Sequence, residues 1–397
     1  MKRFVTALIV GIMSCLSLPA AVGDTTVAFV NVYPGSDIYE LEGHSALRLT
    51  IKDAGDWAVS YGQFDFNSPN FVYRFVKGET DYSVALIPWQ YFESAYRVQG
   101  RRMVQHTIDM DAAQKQRLID LVEENLRPEN RVYRYNYLKD NCATRPLRIL
   151  ELALGDSIVL GHAPAEANSS RPMTYRNIMR DYHRNYPWYQ FGIDLALGSG
   201  IDYPISRREA AFAPAELDRQ LSTATVGSRK LVSCSDVIID LPQDNAILSP
   251  TPWYLTPMTV AVLVLVLTLA VCVRDIRDKH ITRWLHSLYF AAAALLGLIL
   301  TFLIFVSVHE ATSPNWLYVW LNPLSLIAAV GVWLKSCKTL VMSYHFANFV
   351  ALFLLSAAWA WIPQSANPAF APLVAADMIL SATYIIVNIR NRKASPE

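Results

Sequence analysis

Long apolar stretches in the last third of the chain constrain its fold more than any other feature. Each stretch is long enough to cross the ~30 Å hydrocarbon core of a bilayer as a helix. Residues 24–250, by contrast, carry an ordinary density of charged side chains. The pattern therefore predicts a soluble half, residues 24–250, followed by an all-α domain of about five transmembrane helices over residues 251–391 and a short tail, residues 392–397. The predicted spans are residues 253–273, 285–308, 316–334, 346–362 and 370–389.

The loops between these stretches alternate in charge. The first loop, the third loop and the C-terminal tail are basic, whereas the second and fourth loops contain no lysine or arginine. Basic loops stay on the cytoplasmic side of a membrane. The alternation therefore predicts that the first and third loops and the C-terminus lie in the cytoplasm. The basic residues are Arg274, Arg277, Lys279 and Arg283 in the first loop, Lys335 and Lys338 in the third, and Arg390, Arg392 and Lys393 in the tail.

The N-terminus has the pattern of a secretory signal peptide, residues 1–23. Lys2 and Arg3 precede an apolar segment, and Ala21-Val22-Gly23 supplies the small residues of a cleavage site. An uncleaved anchor helix is the alternative, although Pro19 ends the apolar segment early. Export of residues 24–250 agrees with the orientation that the loop charges predict.

Two short motifs in the exported half carry residues with catalytic chemistry. His44 lies at the start of a predicted β-hairpin, within Glu42-Gly43-His44-Ser45. Cys142 lies at the first turn of a helix that Asn141 or Asp140 can cap and that Gly155 ends. A helix N-terminus favours the thiolate, and its N–H groups can receive an oxyanion. The sequence therefore predicts an α+β domain with Cys142 as nucleophile and His44 as its base.

The hairpin suggests a third catalytic residue. If Ala54 and Gly55 are the two turn residues, strand pairing places Asp65 opposite His44. A carboxylate there could hold the imidazole in the productive tautomer. A slip of one residue in register would remove this contact. Glu42, on the same strand face as His44, is the reserve candidate.

Cys142 also has less specific explanations. It could form a disulfide with Cys234, the second cysteine of the exported half, or be a buried structural thiol. No CxxC, HxxxH or carboxylate cluster lies near it in the sequence, so we predict no metal site and no cofactor. The net charge of +1 and the lack of a basic stripe give no reason to expect a nucleic acid partner.

Polar residues accompany the third predicted span. Asn322-Pro323 lies inside it, and His309, Glu310 and Asn315 lie in the loop before it. Polar groups at this depth usually face the interior of a helical bundle or a water-filled cavity. Two interpretations remain open. The first is a proline kink with a capped helix end, and the second is a site near the outer leaflet that admits lipid.

Several stretches of the mature chain form a pattern shared with a known family. They are Gly43-His44-Ser45-Ala46-Leu47-Arg48, Tyr61-Gly62-Gln63-Phe64-Asp65-Phe66, Tyr135-Asn136-Tyr137-Leu138-Lys139-Asp140-Asn141-Cys142-Ala143-Thr144-Arg145, Phe191-Gly192-Ile193-Asp194-Leu195-Ala196-Leu197-Gly198 and Phe212-Ala213-Pro214. A histidine strand ahead of an Asn-Cys helix start resembles the permuted papain-like arrangement of NlpC/P60 relatives. The longer stretches resemble the Lnb-type lipoprotein N-acyltransferases, in which a periplasmic domain precedes a multi-helix membrane domain.

The resemblance implies a permuted papain-like (NlpC/P60-related) periplasmic domain on a bacterial inner-membrane protein. It implies that Cys142 takes an acyl chain from a phospholipid and passes it to the N-terminal amine of a diacylated apolipoprotein, with His44 as base. Asn141 and Arg145 flank the cysteine in the matching stretch. We expect them to contact substrate, together with His309, Glu310 and Asn315.

Two other functions fit the same residues. An NlpC/P60-type amidase or peptidase acting on cell-wall peptide would use the same Cys–His pair, but it gains little from five membrane helices. A non-catalytic receptor or scaffold would instead join Cys142 to Cys234. A free, fast-alkylating Cys142 excludes the scaffold, and lipid mass on that cysteine excludes the peptidase.

Overall fold

The computed structural model describes residues 25–155, 158–161, 173–241 and 251–393, and the chain divides into two compact units. The first unit is Met1–Tyr182 with Pro204–Ser249, and the second is His183–Tyr203 with Pro250–Glu397. The predicted signal peptide lies outside the described residues. The short stretch His183–Tyr203 thus groups with the apolar C-terminal segments, although it precedes them by about 50 residues in the sequence.

The first unit is built on a seven-stranded sheet in which every recorded strand pair is antiparallel. Its strand order is β10-β5-β1-β2-β3-β4-β6, and β7, β8 and β9 form a second, three-stranded sheet. The strands are β1 (Thr25–Val32), β2 (His44–Ile51), β3 (Gly55–Gln63), β4 (Asp81–Pro88), β5 (Met103–Ile108), β6 (Val132–Arg134), β7 (Ile158–Val159), β8 (Thr225–Val226), β9 (Arg229–Lys230) and β10 (Val232–Ile239).

Helices cover both faces of the large sheet, which confirms the predicted mixture of sheet and helix in this half. Side chains alternate between the faces with the two-residue period of a strand. Phe29 and Leu47 pack with Leu147 on one face, and Val30 packs with Phe92 on the other. The helices that precede the membrane segments are α1 (Phe71–Lys77), α2 (Trp89–Val98), α3 (Ala112–Leu126), α4 (Thr144–Leu154), α5 (Tyr175–His183), α6 (Pro187–Ala196), α7 (Arg207–Ala210) and α8 (Pro214–Leu221).

The β2–β3 hairpin has a different register from the predicted one. Ile51 pairs with Gly55 across a three-residue loop in which Asp53 adopts a φ of 61°. The recorded pairs continue only to Leu47 and Val59. The predicted register was therefore wrong, because the sequence was interpreted as a two-residue turn. Asp65 does not lie opposite the histidine that begins β2.

The second unit contains four helices that are long and apolar enough to cross a membrane. They are α9 (Pro257–Asp278), α10 (Arg283–Phe305), α12 (Lys338–Ala358) and α13 (Phe370–Lys393), with the short helix α11 (Leu326–Gly331) between α10 and α12. Four of the five predicted spans are therefore confirmed as continuous helices. The segment 183–203, which includes α6, packs with them.

The third predicted span is not one helix. Residues 316–331 form two 3₁₀ turns, Trp316–Val319 and Pro323–Ser325, followed by α11. The side chain of Asn322 accepts a hydrogen bond from the Leu324 N–H at 3.1 Å and so caps the second turn. The prediction of a continuous helix was wrong here, and the alternative of a proline break with a capped end is confirmed.

The broken segment nonetheless connects opposite ends of this bundle. At its start, the Trp316 N–H donates to Gln364, in the loop before α13. At its other end, Val332 lies in an apolar cluster with Tyr384 and Ile281, near the C-terminal end of α9. The C-terminal end of α13 lies at that same end, where Asn391 donates to the carbonyl of Lys279 at 3.0 Å. The first loop and the C-terminal end of α13 therefore share one end of the bundle.

Candidate active site

Cys142 lies beside the start of strand β2 and the end of strand β3. The Ser45 hydroxyl donates to the Cys142 carbonyl at 2.7 Å, and the Ser45 backbone N–H is close enough to the sulfur to oppose the rise in the pKa of the thiol. On the other side, a Cβ built on Gly62 would lie 3.4 Å from the Cys142 Cβ. Because β2 and β3 no longer pair beyond Leu47 and Val59, the cysteine occupies the place where the two strands separate.

The turn that carries Cys142 is held by Asn141. Its Oδ1 accepts from the N–H groups of Ala143 and Thr144 at 2.8 and 2.9 Å, which ties the Cys142 turn to the start of α4. Its Nδ2 donates to the carbonyls of Tyr137 and Phe212 at 2.7 and 2.9 Å. Asn141 is buried and its amide is fully engaged within the protein. Asn141 therefore holds the Cys142 turn in position. Because its Oδ1 already accepts from the N–H groups of Ala143 and Thr144, these two groups are not available to an oxyanion, although the sequence predicted that they would be.

His44 is joined to a chain of neutral polar side chains. Its Nε2 lies 2.9 Å from the Ser60 hydroxyl oxygen, and Gln63 Nε2 donates to that same oxygen at 2.9 Å. Ser60 has no exposed surface. The ring of His44 also packs against Phe92 and Tyr96 of α2, with ring centroids 6.4 and 6.2 Å away. Nδ1 is then the ring nitrogen left to exchange a proton with another group.

A β-bulge in strand β3 brings Ser60 and Gln63 together. Ser60 pairs with Ala85 and Gln63 with Ser83, so β3 has one residue more than β4 between these pairs. Gly62 lies in the bulge with a φ of 86°, a conformation that favours glycine. The extra residue turns the Gln63 amide back toward Ser60, and the absent side chain of Gly62 leaves room for Cys142.

The two predicted carboxylate partners of His44 have other contacts. Asp65 is exposed, and its carboxylate accepts from the backbone and side-chain N–H groups of Asn67 at 2.8 and 3.0 Å. Glu42 accepts a hydrogen bond from the Tyr137 hydroxyl. The recorded hydrogen-bond partner of the His44 ring in the described part of the chain is Ser60. The sequence reasoning missed Ser60 and Gln63. A three-residue turn with Asp53 in the left-handed region would have placed Ser60 near His44.

The electrostatics favour a neutral pair. Burial raises the pKa of the Cys142 thiol to about 11, and the negative charge of Glu42 adds to the rise, whereas the Ser45 N–H opposes it. Burial lowers the pKa of His44 to about 3, and the positive charge of Arg101 acts in the same direction. The resting site therefore holds a thiol and a neutral imidazole, and the lowered thiol pKa expected from the helix N-terminus is not found.

Four tyrosines surround this pair. Burial raises the pKa of each, and a negative charge on Cys142 would raise it further, which places all four near the sulfur. Tyr82 and Tyr135 stack with their ring centroids 4.1 Å apart. The half-buried cysteine therefore has a largely aromatic environment. The four residues are Tyr82, Tyr96, Tyr133 and Tyr135.

Arg145, expected to contact substrate, is held within the protein. Its guanidinium makes two hydrogen bonds to the Asp140 carboxylate, at 2.6 and 2.8 Å. The same group lies 3.4 Å from the centre of the Tyr133 ring. These contacts fix residues on either side of Cys142, so Arg145 supports the turn that carries it.

The loop of the second unit that contains His309, Glu310 and Asn315 packs against the segment 183–203. Asn315 donates to the Leu195 carbonyl at 2.9 Å and accepts from Leu317 and Gln364. The Gly198 N–H donates to the Ala311 carbonyl at 2.8 Å. A side chain at Gly198 would collide with the carbonyl of Pro314, so glycine is required for this close approach. The Phe191–Gly198 stretch and Asn315 thus have a shared structural role.

His309 and Glu310 lie in the same loop. His309 is half-buried and Glu310 is exposed at the start of a 3₁₀ turn, Glu310–Thr312. The backbone of Gly200 approaches the Glu310 carbonyl so closely that an added Cβ would lie 2.9 Å from it. This loop is therefore covered by the 183–203 segment on one side.

The cysteines are all free within the described residues. Cys142 is half-buried, and Cys234 lies exposed on β10. The Cys234 sulfur approaches the Asp236 carboxylate at 3.6 Å. The Cys142–Cys234 disulfide that a non-catalytic scaffold would need is not formed.

Two family models match this chain. The model of the Lnb N-terminal periplasmic domain matches residues 20–181, and the model of the Lnb transmembrane domain matches residues 249–392. The gap between the two matches includes the 183–203 segment. No curated protein and no solved structure matches the chain.

The fold and these matches define a membrane protein with a periplasmic α+β domain ahead of a helical transmembrane domain. Within that class, the chain belongs to the Lnb-type family. The arrangement fits an inner-membrane protein, as the sequence predicted.

Proposed function

We propose that this protein is a lipoprotein N-acyltransferase that works through a thioester on Cys142. The observation that carries the proposal is the arrangement of Cys142 beside the strand that bears His44, Ser60 and Gln63, in a periplasmic Lnb-type domain. The acyl donor is a phospholipid, and the acceptor is the N-terminal amine of a diacylated apolipoprotein. Both substrates are lipids of the membrane that the second unit spans.

The first half-reaction forms the thioester. We assign the proton of the neutral His44 ring to Nε2, which lies 2.9 Å from the Ser60 hydroxyl oxygen. Nδ1 then takes the thiol proton as the Cys142 sulfur attacks the ester carbonyl of the phospholipid. The C–O bond to the glycerol oxygen breaks, and His44 returns the proton to that oxygen. A lysophospholipid leaves, and the acyl chain remains on Cys142.

The second half-reaction forms the amide. The acceptor amine attacks the thioester carbonyl while His44 Nδ1 removes an amine proton. The C–S bond breaks, the Cys142 thiolate leaves, and His44 returns its proton to the sulfur. The aromatic surroundings of the sulfur support transfer over hydrolysis, because water competes poorly for a thioester in such a site.

The developing oxyanion needs hydrogen-bond donors close to the sulfur. Asn141 occupies the N–H groups of Ala143 and Thr144, which leaves those of Ser45 and Cys142 itself. We assign these two backbone groups to the oxyanion. Asn141 and Arg145 position the turn, and His309 and Glu310 remain candidates for lipid contact at the outer end of the membrane domain.

The fold and orientation belong to the same proposal. A histidine strand that precedes an Asn-Cys helix start supports a permuted papain-like domain. The loop charges support a cytoplasmic C-terminus.

The test is to trap and weigh the acyl-enzyme. Full-length protein is incubated with a phospholipid of defined chains, without acceptor, and its intact mass is measured before and after a diacylated lipopeptide is added. We expect one acyl mass on Cys142 that disappears as the lipopeptide is N-acylated. Cys142→Ala and His44→Ala should each abolish the transfer, and the double variant should be little worse than either single one, because the residues act as a unit.

Cys234→Ala is the matched control and should retain full activity, because Cys234 is a free thiol on β10, which is not next to the strands that bear His44 and Ser60. Cleavage of cell-wall peptides without any lipid adduct would instead identify a peptidase and overturn the proposal.

A further inference from the structure

A cavity of about 280 Å³ lies in the second unit, at the end of the bundle where α9 and α13 begin. It is formed entirely by this unit, from the 183–203 segment and from the residues around the two helix starts. Within the described ranges, no aspartate or glutamate lines it. The lining residues are His183, Arg184, Pro187, Gln190, Thr256, Pro257, Met258, Asn367, Pro368 and Ala369.

A buried donor in this lining has no acceptor. Gln190 is 8% exposed, and its Oε1 lies 2.9 Å from Nδ1 of His183. Its Nε2, which carries two N–H donors, has no hydrogen-bond partner among the residues that the structure describes. An unsatisfied buried donor of this kind costs free energy unless a ligand accepts from it. A ligand that enters the cavity can therefore accept a hydrogen bond from Gln190 Nε2.

The other groups around the cavity are also positive or donating. Arg184 is exposed at the lining and forms no ion pair with a carboxylate in the described part of the chain. The Met258 N–H, in the first turn of α9, has no acceptor among the described contacts, whereas the Val260 N–H bonds to the Thr256 carbonyl. The N-termini of α9 and α13, helices of 22 and 24 residues, both border the cavity and carry partial positive charge.

The acidic side chain of α6, Asp194, is not among the residues that line the cavity. Asp194 is buried, and Asn367 donates to its Oδ2 at 3.0 Å. Arg184 and Gln190 Nε2 are therefore donors of the lining that have no carboxylate partner among the described residues. Together with the helix ends, they select an anion with several acceptor oxygens.

The surrounding surface places the cavity at the level of lipid headgroups. Trp253 and Tyr254 are exposed immediately before α9, and Trp188 is exposed on α6. Trp188 Nε1 donates to the Leu255 carbonyl at 2.7 Å. Aromatic side chains of this kind concentrate at membrane–water interfaces. Met258 lines the cavity and Val262, one turn further along the same face of α9, is exposed, so a lipid can continue from the cavity along an apolar helix surface.

We propose that this cavity binds the phosphate group of a membrane phospholipid. The phosphate oxygens accept from Gln190 Nε2, Arg184 and the start of α9, and the acyl chains lie along the apolar side of α9. The binding does not depend on the proposed acyl transfer, and only the identification of the bound lipid with the acyl donor rests on it.

The test is a binding measurement in the Cys142→Ala background, where no acyl chain can be transferred. Full-length protein in a maltoside detergent, which has no phosphate, is stripped of lipid and titrated with phosphatidylglycerol under native mass spectrometry. Diacylglycerol with the same chains and inorganic phosphate are titrated in parallel. We expect phosphatidylglycerol to bind at least about tenfold more tightly than diacylglycerol. Equal binding of the two, or binding of inorganic phosphate alone, would overturn the proposal.

Variants of the lining assign the site. Arg184→Gln and Gln190→Leu should each weaken phosphatidylglycerol binding by about tenfold or more. Arg277→Gln, the same change at the opposite end of α9, is the matched control and should bind as the parent does. Arg184 is exposed, so its variant should fold even if burying leucine at position 190 disturbs the unit. An Arg184→Gln protein with unchanged affinity would contradict the assignment. Because the Cys142→Ala parent is inactive by design, the outcome does not depend on the proposed acyl transfer.

Discussion

The environment of His44 explains why the cysteine and histidine are both neutral at rest. A carboxylate beside an imidazole stabilises its charged form, but Ser60 offers only a hydroxyl dipole. Arg101 disfavours the imidazolium further, and burial disfavours both charged forms. Proton transfer from Cys142 to His44 is therefore expected to accompany attack on the ester, rather than to precede it.

The pH dependence of alkylation tests this neutral pair. Only the thiolate is alkylated rapidly. Since the pKa of Cys142 is about 11, the thiolate fraction should rise about tenfold per pH unit from pH 7 to pH 9 without a plateau. The measurement is the iodoacetamide labelling rate of the Cys142 peptide by mass spectrometry. Cys234, an exposed thiol in the same protein, provides the accessibility control. A rate that is already constant at neutral pH would show a thiolate–imidazolium pair instead.

Ser60 and Asp65 can be separated by matched substitutions. Ser60→Ala removes the hydroxyl that orients His44, so kcat should fall about 100-fold on the scale of general acid–base catalysis while KM changes little. Asp65→Asn should leave both constants within about twofold, since Asp65 is exposed and bonded to Asn67. Steady-state kinetics with a lipopeptide acceptor give the answer. A larger loss in Asp65→Asn than in Ser60→Ala would restore the carboxylate interpretation.

Among the elements, the bulge in β3 matters most to the site. It lets one strand present Ser60 and Gln63 to His44 while its glycine makes room for Cys142. Bulges commonly redirect side chains beside active sites. The start of helix α4 supports the other side of the site, because Asn141 accepts hydrogen bonds from Ala143 and Thr144 and so holds the turn that carries Cys142.

Two glycine variants separate the bulge's catalytic role from its backbone strain. Gly62→Ala and Gly100→Ala each force a side chain into a positive φ, at 86° and 71°, and each should cost about 1–2 kcal/mol of unfolding free energy. A Cβ at Gly62 would touch Cys142, whereas one at Gly100 has no neighbour within 4 Å. Acyl transfer should therefore drop about tenfold or more in Gly62→Ala alone, because the nucleophile shifts. If Gly62→Ala and Gly100→Ala are equally stable and equally active, the bulge does not position Cys142.

On the scale of the whole molecule, the chain is organised around two ends of the membrane bundle. Asn315, Gln364 and the 183–203 segment meet at one end, where Asn315 donates to Leu195. The C-terminal end of α13 meets the end of α9 at the other, through Asn391 and Lys279. The broken segment 316–331 runs between these ends, so the chain changes side there without a continuous helix.

Reporter fusions test the orientation that follows. A reporter active only outside the cytoplasm should work when fused after Ser313, and it should fail after Lys279 or at the C-terminus. The physical reason is that Lys279 and the C-terminal tail are basic, and Asn391 joins these two regions at one end of the bundle. Fusions that fail because of poor insertion are identified by a cytoplasmic reporter at the same positions. Activity of the external reporter at the C-terminus would contradict the model of one shared cytoplasmic end.

The local features of this protein follow from sequence alone. The glycine at position 155 predicted where α4 ends, because capping depends on a few neighbouring residues. The predicted start was two residues early, since α4 begins at Thr144 and Cys142 lies in the turn before it. The lengths of the apolar stretches predicted four of the spans, since the bilayer fixes how long an apolar helix must be. The proximity of Cys142 to the His44 strand could be expected because both motifs match the Lnb pattern.

The tertiary structure decided what depends on distant parts of the chain. Asp53 adopts a left-handed conformation in a three-residue turn, which changes the register of the β2–β3 hairpin. The partner of His44 is therefore Ser60 and not Asp65. The alternation of residues along a strand does not reveal how many residues the turn contains. The third span is interrupted at Asn322, whose side chain caps the following 3₁₀ turn. The Asn322 backbone packs so closely on α10 that a side chain at Gly297 would collide with it. The segment 183–203 joined the second unit because Asn315, more than 100 residues later, bonds to its carbonyls. Such contacts follow from packing between elements, which local patterns of residues do not encode.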